Sequence, residues 1–421
     1  MILTRLTLTT LTLLSSLFSF SAYTLLLKYL GTSRQVDDLF YAASVPLSVA
    51  GVTSGVLLYL LPPRLIDLSK RNQDAAIQSL ILAVLGAIGA ATVFALMMWL
   101  DDRLAPFWLI WLAFANTAGV LVLTTLASCT AQARGAYIST GLAPLLSSIG
   151  LLVGSIGAVS TQNAWLMVVG QWVGSIAGLW LLLCGLHLRL HRNLARTFKC
   201  AWIILAPLRP HAISIALGAS AFTLFLPIDA VLCTQLDSGS VSIMSYAQRV
   251  LVSVGTAVSL GAYTIATRNS HYILKTCGHA AMHRQVNKEV WRIVIFGLIA
   301  WMLYQLGGSR LLAILLSGST ISDEDLSRLL DCVGWMLLGV GPMAAMPYLF
   351  RIFYLIGVYI KPAVLGVFTV LLYIAMSWIL LGRFQILAMA YAYIAVWWVM
   401  LVASLYWFKF TNTDILENNN I

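Results

Sequence analysis

The chain has 421 residues, of which 60% are hydrophobic and 10% charged, with a formal net charge of +10 and a mean hydropathy of +0.90. Soluble domains carry about a quarter charged residues, so this composition excludes an ordinary globular enzyme and points to an all-α polytopic membrane protein. The surplus of cations is spread over short segments between apolar runs, as expected beside anionic lipid headgroups, and no nucleic-acid partner is expected.

Apolar runs long enough to cross a bilayer, about 20 residues each, fall at 6–30, 38–61, 76–100, 105–131, 138–159, 164–187, 212–235, 241–267, 291–316, 326–350, 363–382 and 386–408. They predict about twelve transmembrane helices. The first run follows Arg5 but is too long for a cleaved signal, and no small-residue cleavage site precedes a soluble domain. The longest basic stretch divides the chain into an N-terminal lobe (1–187), a cytoplasmic linker (188–211), a C-terminal lobe (212–410) and a polar tail (411–421).

The two halves echo each other. VDDLFYAASVPLSV from Val36 and VSIMSYAQRVLVSV from Val241 agree at six of fourteen positions at an offset of 205, and Arg134, Tyr137 and Pro144 find counterparts in Arg351, Tyr354 and Pro362. Six spans per repeat keep both halves in one orientation, so the expected pseudo-twofold axis runs along the membrane normal, an architecture suited to alternating access. With the N-terminus inside, eighteen of the 25 basic residues fall in inner loops and six outside, leaving Arg249 in the membrane. Such a bias places both termini in the cytoplasm of an inner-membrane protein.

Candidate site residues appear in the same order along the chain. Lys28 ends the first span and Asp37 falls between the first and second, where by themselves they read as a snorkelling lysine and a solvated loop. Pro46 and Pro227 lie within spans, where proline frees a carbonyl and bends a helix, which makes them hinge candidates. Arg134 and Arg351 stand at matched inner junctions and are read as structural or gating residues. Asp229 and Arg249 sit about nine and ten residues from the turn between the seventh and eighth spans, at nearly equal depth by the ~1.5 Å rise per residue. A guanidinium at that depth costs several kcal/mol without a partner. One reading is an ion pair that locks the hairpin; the other is a planar fork gripping a phosphate, with Asp229 as its holder or coupling group. The six cysteines lack metal or disulfide spacing, and the histidines lie among arginines near the inner interface. Neither a metal site nor a cofactor is indicated, and no P-loop or nucleophile with its base appears.

Four segments carry a resemblance. KYLGTSRQVDDLFYAASVP from Lys28, AQARGAYISTGLAPLLSSIG from Ala131, GSVSIMSYAQRV from Gly239 and LFRIFYLIGVYIKPAV from Leu349 resemble, in order, motifs of the MviN/MurJ branch of the multidrug/oligosaccharidyl-lipid/polysaccharide exporter superfamily. The resemblance implies a non-enzymatic flippase for a lipid-linked saccharide, with membrane lipids around it and a coupling ion or the membrane potential as drive. It places Arg249 on the cavity arginine, Lys28 on a basic position and Asp37 on the family aspartate, all three as substrate-binding residues. Gln248 stands where aspartate is usual. Ser16 and Ala22 replace arginines of the lipid II flippase, Tyr23 an aspartate, and small residues around Ala50 and Gly51 a pair of arginines. A less anionic cargo than lipid II, such as a surface-polysaccharide repeat unit on polyprenyl diphosphate, is therefore expected. The rival readings are an ion-coupled drug exporter using Asp229, and a non-transporting scaffold for polysaccharide assembly.

Overall fold

The computed structural model of the chain describes residues 2–66, 73–74, 77–82, 84–86, 88, 105–134, 137–186, 209–259, 262–318 and 320–418. Most of the expected third span, beyond 77–82, 84–86 and 88, and nearly all of the basic linker lie outside the described residues. The longer helices are α1 (Ile2–Leu30), α2 (Arg34–Ile66), α3 (Ala105–Ala133), α4 (Tyr137–Thr161), α5 (Trp165–Leu186), α6 (Arg209–Thr223), α7 (Phe225–Cys233), α8 (Ser240–Ser259), α9 (Ala262–Leu303), α10 (Ser309–Leu316), α11 (Asp323–Met336), α12 (Val340–Leu355), α13 (Ile360–Phe384) and α14 (Leu387–Asn418). Among the described residues, nine helices are long and apolar enough to cross a membrane, and α6 and α7, bent by 45° at their junction, are so when taken together. Helix α3, 29 residues long, covers the expected fourth run. The fold is all-helical in these residues, since in lipid a helix satisfies its own backbone donors and acceptors.

Two compact units are present, Met1–Ser242 with Gly318–Ile321, and Ile243–Ser317 with Ser322–Ile421. In the first, α4 and α5 meet backbone to backbone. A Cβ added at Gly150 would lie 2.4 Å from the Gly170 carbonyl oxygen, one at Gly154 2.5 Å from that of Leu166, and one at Gly174 2.5 Å from that of Leu146. Lipid tails are as apolar as leucine, so helices in a bilayer associate through such close van der Waals contact and through hydrogen bonds. Both occur here: α1 joins α4 through Ser15 and Ser19, whose hydroxyls lie 2.8 and 2.9 Å from the Ser148 Oγ. Leu61 and Leu65 of α2 pack with Leu123, Leu126 and Cys129 of α3.

In the second unit the same device joins α9 to α12, where a Cβ at Gly297 would stand 2.3 Å from the Gly341 Cα. Helix α9 continues through a π-helical turn, Tyr304–Gly308, from which the buried Tyr304 hydroxyl donates to the Leu330 carbonyl at 2.9 Å. Helix α11 opens on Ser322, whose side chain accepts from the Asp325 N–H, with Asp323, Glu324 and Asp325 in its first turn. Both features neutralise a helix N-terminus. Helix α14 closes the unit, with the Trp398 indole donating to the Leu338 carbonyl at 3.2 Å.

Candidate functional site

The C-terminal end of α1 and the N-terminal end of α2 are tied to two later segments of the same unit. Helix α1 stops at Gly31, whose φ of +64° is a left-handed conformation that glycine adopts without Cβ strain. The orphan carbonyl of Lys28 there accepts the Thr320 N–H at 3.1 Å. Asp37, one turn into α2, accepts from the Gly239 N–H at 2.6 Å and from the Ser242 N–H and hydroxyl at 2.8 and 2.5 Å. Gly239 immediately precedes α8 and Ser242 lies in its first turn, where free N–H groups and the helix dipole favour an anion. Gly239 has φ +94°, and a Cβ on it would fall 2.8 Å from the Thr32 Cβ. The resemblance expects Asp37 to hold substrate; here its carboxylate caps a helix. Asp37 and Ser242 are separated by 205 residues, the offset of the sequence repeat, so matched positions of the two repeats touch.

A second constellation surrounds the bend in the seventh span. Pro227 has no N–H and its ring crowds the carbonyl four residues earlier, which belongs to Thr223, the last residue of α6. That carbonyl instead accepts the Ser48 hydroxyl of α2 at 2.7 Å. The break at Leu224 thus follows from Pro227, and Ser48 supplies the lost bond. Close approach is needed for it: a Cβ on Gly51 would be 2.4 Å from the Thr223 Cγ2, and one on Gly55 3.0 Å from the Ala219 Cβ. Asp229, half a turn past the proline, is 2% exposed. Pro46 is buried in α2 one turn before Gly51.

At the other end of the first unit, Arg134 follows α3 and gathers three elements. Its Nη2 lies 2.5 Å from the Asp74 Oδ1, its Nε donates to the Gln73 Oε1 at 3.1 Å and its Nη1 to the Leu186 carbonyl at the end of α5 at 2.8 Å. Gln73 in turn donates to the Leu65 carbonyl of α2 at 2.7 Å. Sequence reading singled out Arg134 but not Gln73 or Asp74, which are buried and helical here but stand in a polar stretch of sequence with no spacing to mark them. Ser48 was missed likewise, because a hydroxyl opposite a proline-freed carbonyl is a pairing across 175 residues.

The remaining candidates are distributed between the units. Lys28 is in the first. Arg249, half-buried ten residues into α8, and Arg351, half-buried in α12, are in the second. Where the resemblance leads one to look for cavity charge, the structure has packing: Ala22 is fully buried, Tyr23 and Ala50 are each 4% exposed, and Tyr23 faces Phe40 at 6.0 Å between ring centroids. An arginine at Gly51 would displace Thr223. Among the described residues no group of three metal-ligating side chains comes together.

A family model described as lipid II flippase MurJ matches residues 28–417. The chain belongs to the lipid II flippase MurJ family. Solved structures agree on the fold of this MurJ-family member. A lipid II flippase MurJ in an inward closed conformation superposes with TM-score 0.75 at 14% identity, covering 96% of this chain and 87% of its own. A MATE transporter in complex with MaL6 follows with TM-score 0.73 at 12% identity, covering 98% and 97%. A transporter of the MOP superfamily from Pyrococcus furiosus, whose binding pocket is described as reversed in polarity, has TM-score 0.68 at 12% identity, covering 97% and 95%. No curated protein matches the chain. MurJ-family membership makes the chain a multi-pass membrane transporter, and it supports a lipid-linked saccharide as cargo.

Proposed function

We propose that this protein moves a polyprenyl-diphosphate-linked saccharide from the cytoplasmic to the outer leaflet of a bacterial inner membrane by alternating access, with both termini inside. The observation that carries the reading is the family match over 28–417, nearly the whole chain. Arg249 binds the diphosphate, since a guanidinium fork matches phosphate oxygens bidentately, and Lys28 serves as an accessory cation. Asp229 holds Arg249 between turnovers. Asp37 serves as an outer latch: cargo leaving outward requires its cap on α8 to open. The contact of repeat-matched Asp37 and Ser242 supports this, because positions related by a twofold meet only beside the axis. Arg134 and Arg351 stiffen the inner ends, Pro227 bends the seventh span, and Pro46 serves as a hinge in α2.

The membrane potential suits the direction. Each negative charge carried outward gains about 2.3 kcal/mol per 100 mV, and the emptied cationic site is drawn back by the same field. The buried Ala22, Tyr23 and Ala50 and the closed space at Gly51 support a cargo with fewer negative charges than lipid II, which we take to be a surface-polysaccharide repeat unit.

The test is Arg249→Ala in cells whose surface glycan depends on this chain. Transport should cease while the protein accumulates normally, and Lys should restore it only in part. Full activity of Arg249→Ala, or loss through misfolding that Asp229→Ala repairs, would make the pair a structural lock. For the cargo, the chain should fail to sustain cells depleted of their lipid II flippase; rescue would assign it lipid II.

A further inference from the structure

Helix α9 carries a stripe of exposed side chains that lies apart from the residues of the proposed transport site. Arg284, Lys288, Trp291, Ile295, Ile299 and Met302 fall within about 80° of one another around the helix axis at 3.6 residues per turn. All six are exposed, Arg284 and Lys288 as well as Trp291 at 49%, Ile295 at 52%, Ile299 at 44% and Met302 at 53%. The stripe therefore runs from two cations through an indole to an apolar track. From Trp291 to Met302 the rise is about 16 Å, close to half of the ~30 Å hydrocarbon core, which is the length of one leaflet's acyl chain.

The charge on this face is not cancelled from within the helix. The nearby acid, Glu289, is 14% exposed in its side chain and paired with Arg292 at 2.6 Å, and Gln285 donates to it at 3.3 Å. A third cation stands alongside. His283 stacks on Phe408 of α14 at 5.0 Å with an interplanar angle of 5°, which brings the exposed Lys409 beside this end of α9. Lys409 is close enough to act on the His283 ring electrostatically.

We infer that Arg284, Lys288 and Lys409, with Trp291 below them, form a seat for an anionic phospholipid, whose phosphate meets the cations and whose acyl chain follows Ile295 to Met302. A zwitterionic lipid fills the track equally well but forfeits the charge attraction, so selectivity for anionic headgroups is the signature. The inference is independent of the cargo proposed above and uses the proposed orientation only to name the leaflet as the inner one.

The experiment is lipid retention by the full chain purified in mild detergent and exposed to mixed micelles of phosphatidylglycerol and phosphatidylcholine, with bound lipid counted by mass spectrometry. The unmodified chain should hold phosphatidylglycerol preferentially. Each of R284Q, K288Q and K409Q should weaken that binding about fivefold, from ~1 kcal/mol per cation near a charged surface, with phosphatidylcholine unchanged. Arg284→Lys with Lys288→Arg should retain it, which guards against a merely misfolded variant. Arg310→Gln, at the far end beyond the π turn, should have no effect. Equal phosphatidylglycerol retention in the triple Gln variant, parallel loss of both lipids, or an equal effect of Arg310→Gln would each overturn the assignment.

Discussion

Removing the carboxylate of Asp74 should loosen the Arg134 end of the first unit more than any other single deletion of a polar group there. Asp74→Ala leaves the Arg134 guanidinium with two neutral acceptors, Gln73 and the Leu186 carbonyl. Breaking one partner of a buried pair costs about 3–5 kcal/mol. The two side chains are 14% and 7% exposed, so water recovers part of this and about 2–4 kcal/mol is expected. The assay uses Cys129, which is fully buried in α3 five residues before Arg134, as the only cysteine of a variant whose others are replaced. Its rate of reaction with a thiol reagent reports opening of the α2–α3 core, and should rise about thirty- to several hundredfold in Asp74→Ala. Arg134→Met with Asp74→Leu removes both charges together with their desolvation cost and should return most of the protection, leaving a deficit of about 1–2 kcal/mol for the orphaned Gln73 and Leu186 groups. A Cys129 rate in Asp74→Ala within threefold of the parent, or a double variant as fast as the single, would refute the view that this ion pair clasps the unit.

Three further outcomes follow from the geometry. Gly174→Leu should abolish accumulation in the membrane, because a Cβ there already meets the Leu146 carbonyl at 2.5 Å, whereas Gly185→Ala, with nothing within 4 Å, should accumulate like the parent; immunoblots of membrane fractions decide. Ser48→Ala should reduce transport and cost about 1–2 kcal/mol by orphaning the Thr223 carbonyl, but not when combined with Pro227→Ala, which restores an N–H four residues on; additive losses in transport assays would show the hydroxyl acts elsewhere. Single cysteines at Gln162 and Asp323 should react with an impermeant thiol reagent from outside intact cells and one at Asn269 should not; outside labelling at Asn269 would reverse the orientation.

Much of the helical plan was legible in the sequence. A run of about 20 apolar residues has few choices in a bilayer other than a helix, so the boundaries expected at 138–159 and 363–382 reappear within a few residues as α4 and α13. Pro227 likewise announced a bend before its 45° angle was seen. The glycines at 150, 154, 170 and 174 spell a close helix contact in small-xxx-small spacing. The family, too, could be read from four short motifs, because each preserves residue types in order along the spans.

What only the tertiary structure decided is which polar groups meet. Sequence named Asp37 and Arg134 as notable, since a charge near an apolar run is conspicuous by itself, but their partners Ser242, Gln73 and Asp74 are ordinary residues at separations of 205, 61 and 60. A hydrogen bond across such a distance leaves no periodicity in the chain. It arises from the angle at which two helices cross and the small residues that let them approach. The same holds for Ser48 and for the small residues at Ala22 and Gly51: a sequence shows that a charge is missing, and the packed neighbours show why none would fit.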